Sequence, residues 1–216
     1  MNFQALIDAF SKVNYTHPDF IISACSIIFN PLFWNIVARN EYRNKTLTKI
    51  FKSPKKGCYF LAFVIFTLGI VRDLLFAKAI QSDSECKLFD TQKVKILGYI
   101  SLGIGSVLVY SSMYVLGIIG TYLGDYFGIL MEKRVTGFPF NVCDNPMYTG
   151  STLNFLGTAL LGKSCAGVVL TILVWIVYVI ALKFEGPFTS MIYANKNKKT
   201  EAKKPAANKQ KSKKNN

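Results

Sequence analysis

The 216 residues contain a single histidine, His17, and 12 acids against 26 lysines and arginines. The five cysteines, at 25, 58, 86, 143 and 165, are odd in number and include no C-x-x-C pair. Zinc chemistry and a disulfide framework therefore have nothing to rest on, and no metal is expected. G-x-S-x-G, the P-loop and H-E-x-x-H are also absent, which leaves serine hydrolysis, phosphoryl transfer and metalloproteolysis without their usual residues.

Charge is missing from four long stretches. Phe20 to Ala38 has none, nor does Gly57 to Val71, which continues past Arg72 and Asp73 to Ile80. Ile96 to Met131 carries only Asp125, and Ser164 to Leu182 is again uncharged. About 20 apolar residues cross a hydrocarbon core as a helix, and a helix satisfies its own backbone polar groups there. Buried helices of a soluble domain would show a polar face, and the mean hydropathy of +0.29 is high for such a domain. The expected fold class is an all-α integral membrane protein: a bundle of about four membrane helices, the first either spanning or re-entrant. Residues 1–195 form the membrane-embedded domain, and 196–216 a disordered, lysine-rich tail. Phe3, Leu6, Ile7, Phe10 and Val13 recur at helical spacing and suit a short helix at the interface. No cleavable signal peptide is evident.

The excess charge of +14 is concentrated in two places. Residues 39–56 are net +6 and the segment from Lys183 is net +8. Both flank membrane segments, so attraction to an anionic leaflet explains them better than nucleic acid does. The positive-inside rule would put both in the cytosol. Three simple spans between them would put them on opposite sides. The third stretch, about 54 Å long if one straight helix, could relieve the conflict by tilting, projecting or folding back. Its Gly117, Gly120, Gly124 and Gly128 read as a groove for close helix packing, with Asp125 turned to protein or water.

Four constellations could carry chemistry. Gly103-Ile104-Gly105 is a lone G-x-G with no strand before it, hence no dinucleotide fingerprint. VTGFPFN, 135–141, leads into DNPMYTGSTLNFLG, 144–157, where Pro146 disfavours helix at Asn145. Asp144, Asn145 and Tyr148 concentrate turn-forming and hydrogen-bonding groups beside a membrane segment. In KFEGPFTSMIY, 183–193, Glu185 stands at the membrane edge, placed either to hold a cation or simply to face water.

Gly120 to Gly157 as a whole, with FNPLFWNIVARNEY (29–42) and PFTSMIYANK (187–196), resembles the small phospholipid N-methyltransferases over nearly all the chain but the tail. The resemblance implies methyl transfer from S-adenosylmethionine to ethanolamine phospholipids, ending at phosphatidylcholine, in the endoplasmic reticulum membrane with the tail cytosolic. It assigns the donor to a G-x-G, here Gly103, Ile104 and Gly105, and to a Glu-Glu pair, here Glu185 and Gly186. The chain thus departs from the pattern at Gly186. Asp144, Asn145 and Tyr148 are the catalytic candidates: Asp144 or Asn145 to orient the amine or take its proton, and Tyr148, with Phe138 and Phe140, as aromatic contacts for a cationic headgroup. The implied partners are a bilayer lipid and no nucleic acid. Lys213 and Lys214 resemble a dilysine retrieval signal. Prenylcysteine carboxyl methyltransfer is the alternative chemistry, although that family carries Arg-His where Asp144 and Asn145 stand. A non-catalytic membrane scaffold is the alternative class.

Overall fold

A computed structural model describes residues 3–132 and 135–212. Seven α-helices account for most of them: α1 Phe3–Ser11, α2 Pro18–Asn44, α3 Thr46–Phe51, α4 Pro54–Gln81, α5 Gln92–Thr121, α6 Pro146–Leu161 and α7 Cys165–Ser212. Helix starts follow local chemistry. Pro18, Pro54 and Pro146 each occupy a first turn, where a missing N–H costs nothing. Ser53 and Thr91 cap α4 and α5 by accepting from Lys56 N and Val94 N. The start of α7 is capped twice, by Ser164 Oγ on Gly167 N at 2.8 Å and by Asp83 Oδ2 on Ala166 N at 2.9 Å.

Four helices are long and apolar enough to cross a membrane: α2, α4, the segment Gln92–Phe127 and the first part of α7 to Lys196. Their outward faces expose large apolar side chains, among them Leu32, Phe63, Leu74, Tyr110 and Trp175. In water such a surface would be costly; against lipid it is the expected exterior. The internal core is small and lies where α2, α4, α6 and α7 meet, around Ile27, Phe76, Phe155, Ala159, Leu170 and Val174.

The third apolar stretch is not one straight span. At Gly117 the backbone turns to φ 62°, a left-handed conformation that glycine adopts without a steric penalty. The chain then folds back through a 3-10 turn, Gly124–Phe127, which ends at Gly128 with φ 79°. These glycines bend the chain, and the packing groove expected of them does not form. The close-packing seam lies instead between α5 and α6. A Cβ on Gly105 would fall 2.6 Å from the Gly150 carbonyl oxygen, and one on Gly157 would fall 2.7 Å from that of Gly98. The pairing 98 with 157 and 105 with 150 makes the two helices antiparallel.

Helix α6 therefore returns the chain to the opposite end of the bundle. Its 16 residues make a helix of about 24 Å. This answers the charge puzzle. The α2–α4 connection and the distal part of α7 lie at the same end, where Ala38 packs with Tyr126 and Ile192. At the other end Lys163 pairs with Asp90 at 3.0 Å, and Cys86 N donates to the Lys163 carbonyl. Both basic segments thus share one end, because four passes and not three separate them.

α7 runs as helix to Ser212, through Pro205 and into the 196–216 stretch that composition reads as a disordered tail. Lys213 and Lys214 lie outside the described residues.

Candidate active site

Glu185 stands on α7 at the end of the bundle that carries the basic segments, and its carboxylate is the hub of the site. Oε1 accepts from Trp34 Nε1 and Asn35 Nδ2, each at 2.8 Å, and Oε2 accepts from Tyr148 OH at 2.6 Å. Two chain segments distant from it in sequence, on α2 and α6, thus converge on one carboxylate of α7. An ionised carboxylate offers about four lone-pair sites, so three are occupied. All three donors are neutral. Among the described residues no ion pair involves Glu185, so its charge is oriented and not neutralised.

Unused hydrogen-bonding capacity surrounds it. Asn35 Oδ1, Arg39 Nε and Tyr126 OH are all buried without a hydrogen-bond partner. Arg39 does not close onto Glu185. Its Nη2 donates to the Phe184 carbonyl at 2.8 Å, and its guanidinium lies 4.8 Å from the Phe188 ring centroid. Asn35 and Arg39 are four residues apart on one face of α2. Asp125, carried in by the fold-back after α5, accepts from Thr189 Oγ1 at 3.1 Å one turn beyond Glu185.

Below this layer lies a second polar cluster. The Tyr148 ring meets Tyr178 edge-on at 4.8 Å. Arg72 Nη1 donates to Tyr178 OH at 2.7 Å, Ser151 Oγ lies 3.2 Å from the same oxygen, and the guanidinium covers Phe155 at 4.8 Å. Arg72 also pairs with Asp73 at 2.9 Å. A cation in a membrane span is tolerated when protein supplies such partners.

The structure brings Tyr148 to Glu185 directly. Asp144 and Asn145 are exposed in the loop before α6. Asp144 lines a cleft with Val135, Thr136 and Phe140. Phe138 is exposed, and Pro139, joined to it by a cis peptide, is buried. The G-x-G lies on α5, and its three residues differ in their surroundings. A Cβ on Gly103 would meet nothing within 4 Å, Ile104 is half exposed, and Gly105 is buried in the α5–α6 seam against Gly150 and Asn154. Gly186 is likewise open at its Cβ position. Trp34, Asn35, Arg39 and Tyr126 were not singled out from sequence. Their signal lay in polar residues interrupting the apolar period of 29–42, and in the glycine-flanked Asp125-Tyr126 pair. No group of three His, Cys, Asp or Glu side chains able to hold a metal occurs among the described residues.

A family model described as phospholipid methyltransferase matches residues 94–196, a range holding both Tyr148 and Glu185. The phosphatidyl-N-methylethanolamine N-methyltransferase of Saccharomyces cerevisiae is 55% identical over 187 residues, covering 87% of this chain and 91% of its own. Phosphatidylethanolamine N-methyltransferase A of Dictyostelium discoideum is 51% identical over 195 residues, 88% and 92% of the two chains. The phosphatidylethanolamine N-methyltransferase of Homo sapiens is 48% identical over 179 residues, 83% and 90%. No solved structure matches. Identity at this level over most of both chains decides the matter: the chain belongs to the phospholipid methyltransferase family.

Proposed function

We propose that the protein methylates the amine of ethanolamine phospholipids, using S-adenosylmethionine, to give phosphatidylcholine. Phosphatidyl-N-methylethanolamine and phosphatidyl-N,N-dimethylethanolamine are the principal acceptors, with phosphatidylethanolamine as a third. The observation that carries this reading is the Glu185 carboxylate, oriented by Trp34, Asn35 and Tyr148 and left without a cation. An ammonium fits it: one carboxylate lone pair is open, and the Asn35 Oδ1 acceptor beside it is buried and unpartnered. Glu185 and Asn35 would hold the donor's α-ammonium. Gly103, Ile104, Gly105 and Gly186 form part of the donor's surroundings, Gly103 and Gly186 leaving backbone uncovered for close approach. Bound there, the donor supplies an electrophilic methyl on a sulfonium.

The remaining work falls to positioning and proton removal. An ethanolamine amine is mostly ammonium at neutral pH, as a lysine is. Only the neutral amine is a nucleophile, so a poorly hydrated site that favours it helps. Tyr148 supplies an aromatic face at the lipid end of the cluster. Asp144, exposed where the loop meets water, accepts the departing proton directly or through solvent, and the neighbouring Asn145 amide can orient the amine. Phe138 and Phe140 offer further faces to a cationic headgroup.

The protein resides in the endoplasmic reticulum membrane, with the end that carries the basic segments in the cytosol, where charge bias favours it. The donor then enters from the cytosol, and the lipid laterally. Incubation with labelled S-adenosylmethionine and, separately, unmethylated, mono- and dimethylated ethanolamine phospholipids, with products resolved, tests the reading. Transfer to none of the three lipids, in a membrane where the protein is folded, would overturn it.

A further inference from the structure

Two orphaned polar atoms in the cluster are not explained by an ammonium. Arg39 Nε is a buried donor with no acceptor. Tyr126, only 1% exposed, has a buried hydroxyl with no partner. Both side chains rest on Phe188: the Arg39 guanidinium lies 4.8 Å from its centroid, and the Tyr126 ring stacks on it at 5.1 Å with 10° between planes. Thr189 Oγ1 gives its hydrogen to Asp125, so toward Tyr126 it can only accept. Phe188 lies three residues past Glu185 on α7, and Arg39 lies four residues past Asn35 on α2, so the pairs are neighbours on facing helices.

The electrostatics point the same way. A half-buried arginine and a half-buried glutamate on facing helices can close into an ion pair. Here Arg39 binds the Phe184 carbonyl, on the residue next to Glu185, and leaves the carboxylate free. The cluster therefore presents an open positive side and an open negative side. The ligand that satisfies both at once is a compact zwitterion.

We propose that Arg39 and Tyr126 bind the carboxylate of the methyl donor's amino-acid end, Arg39 through Nε and Tyr126 through its hydroxyl, while Glu185 and Asn35 take the ammonium. The inference rests on the function proposed above and assigns the anionic half of that site. A lipid phosphodiester is the other anion that such donors accept. The carboxylate is favoured because it adjoins the ammonium in the donor, as the two halves of the cluster adjoin here.

The test uses the full chain in lipid nanodiscs and equilibrium binding of two radiolabelled ligands: S-adenosylmethionine and its decarboxylated analogue, which keeps the sulfonium and the amine. The wild-type protein should prefer the carboxylate-bearing ligand at least about tenfold, the scale of one charged hydrogen bond. Tyr126→Phe and Arg39→Gln should each weaken S-adenosylmethionine about ten- to hundredfold while holding the analogue within about twofold. Arg39→Lys, which keeps the charge but lacks Nε, gives a second variant should Arg39→Gln fold poorly, and should lose the same preference. The inference is overturned if the folded variants keep the wild-type preference, or lose both ligands equally. It is also overturned if donor affinity holds and only the lipid KM rises, which would assign the anion to the phosphodiester. A wild-type protein that binds the donor and methylates lipid while the variants keep their preference sinks this inference alone. One that binds neither ligand sinks the proposed function and this inference together.

Discussion

The hydroxyl of Tyr148 donates to Glu185 Oε2 at 2.6 Å, tying the first turn of α6 to α7 across 37 residues of sequence. The same carboxylate holds Trp34 and Asn35 from α2, so one side chain fixes the mutual position of three helices and still presents a negative charge.

Glu185→Gln should therefore leave the bundle assembled, because an amide oxygen can still accept from part of this donor set, yet remove the charge. We expect donor affinity and kcat/KM to fall about ten- to hundredfold, the equivalent of about 1.5–3 kcal/mol for a charged hydrogen bond. Thermal unfolding in detergent should change little. Binding of labelled donor beside a melting curve reads both quantities. Tyr148→Phe should lower activity less, since Trp34 and Asn35 still orient Glu185.

The G-x-G divides into two different tests. Gly105→Ala places a Cβ 2.6 Å from the Gly150 carbonyl oxygen, which is backbone and cannot step aside. A cost of about 1–3 kcal/mol in stability follows, and activity falls with it as α6 and Tyr148 shift. Gly103→Ala meets nothing within 4 Å and should leave stability unchanged. Loss of donor binding in a stable Gly103→Ala protein would identify that face as a ligand surface.

Arg72 anchors the lower cluster through Tyr178 and Phe155. Arg72→Ala forfeits a cation–π contact and a charged hydrogen bond in a dry setting, about 2–4 kcal/mol together. Tyr178 keeps Ser151 as a partner. The expected result is a lower unfolding temperature with donor affinity preserved in the folded fraction.

The pH dependence follows from the substrate. Its amine is protonated at neutral pH and reacts only when neutral. Below the lipid amine's pKa, the rate at saturating donor should rise about tenfold per pH unit, flattening as the neutral form comes to dominate. Initial rates from about pH 6.5 to 9 in intact vesicles check this. A flat profile would mean that the site keeps the bound amine neutral across the whole range.

Labelling tests the topology. Single cysteines replacing Lys55, after the basic α2–α4 connection, and Asn195, on distal α7, should react with an impermeant thiol reagent from the same face. One replacing Lys87, in the α4–α5 loop, should react only from the other face.

The membrane class and the positions of the apolar helices were legible in the residues, and the structure joins two residues the sequence put forward as candidates, Glu185 and Tyr148, by a hydrogen bond. Hydropathy, proline placement and the density of polar groups at 144–157 act locally, and lipid as solvent leaves the backbone few options. The partners Trp34, Asn35 and Arg39 were visible only as polar residues on an apolar helix, because their roles depend on what faces them.

Residue order alone thus settled that four stretches can enter a bilayer, that a carboxylate would stand at the membrane edge, and that two basic segments flank the bundle. Tertiary structure decided the rest. It spent the glycines after residue 116 on a fold-back and put the close helix seam at 98–157 and 105–150. It made α6 the extra pass that brings both basic segments to one end, and it gathered Asn35, Arg39, Tyr126 and Tyr148 around Glu185. The physical reason is range. Hydropathy, capping and turn preference operate within a few residues, whereas antiparallel packing and the pairing of buried polar atoms depend on groups that meet only when helices far apart in sequence are packed together.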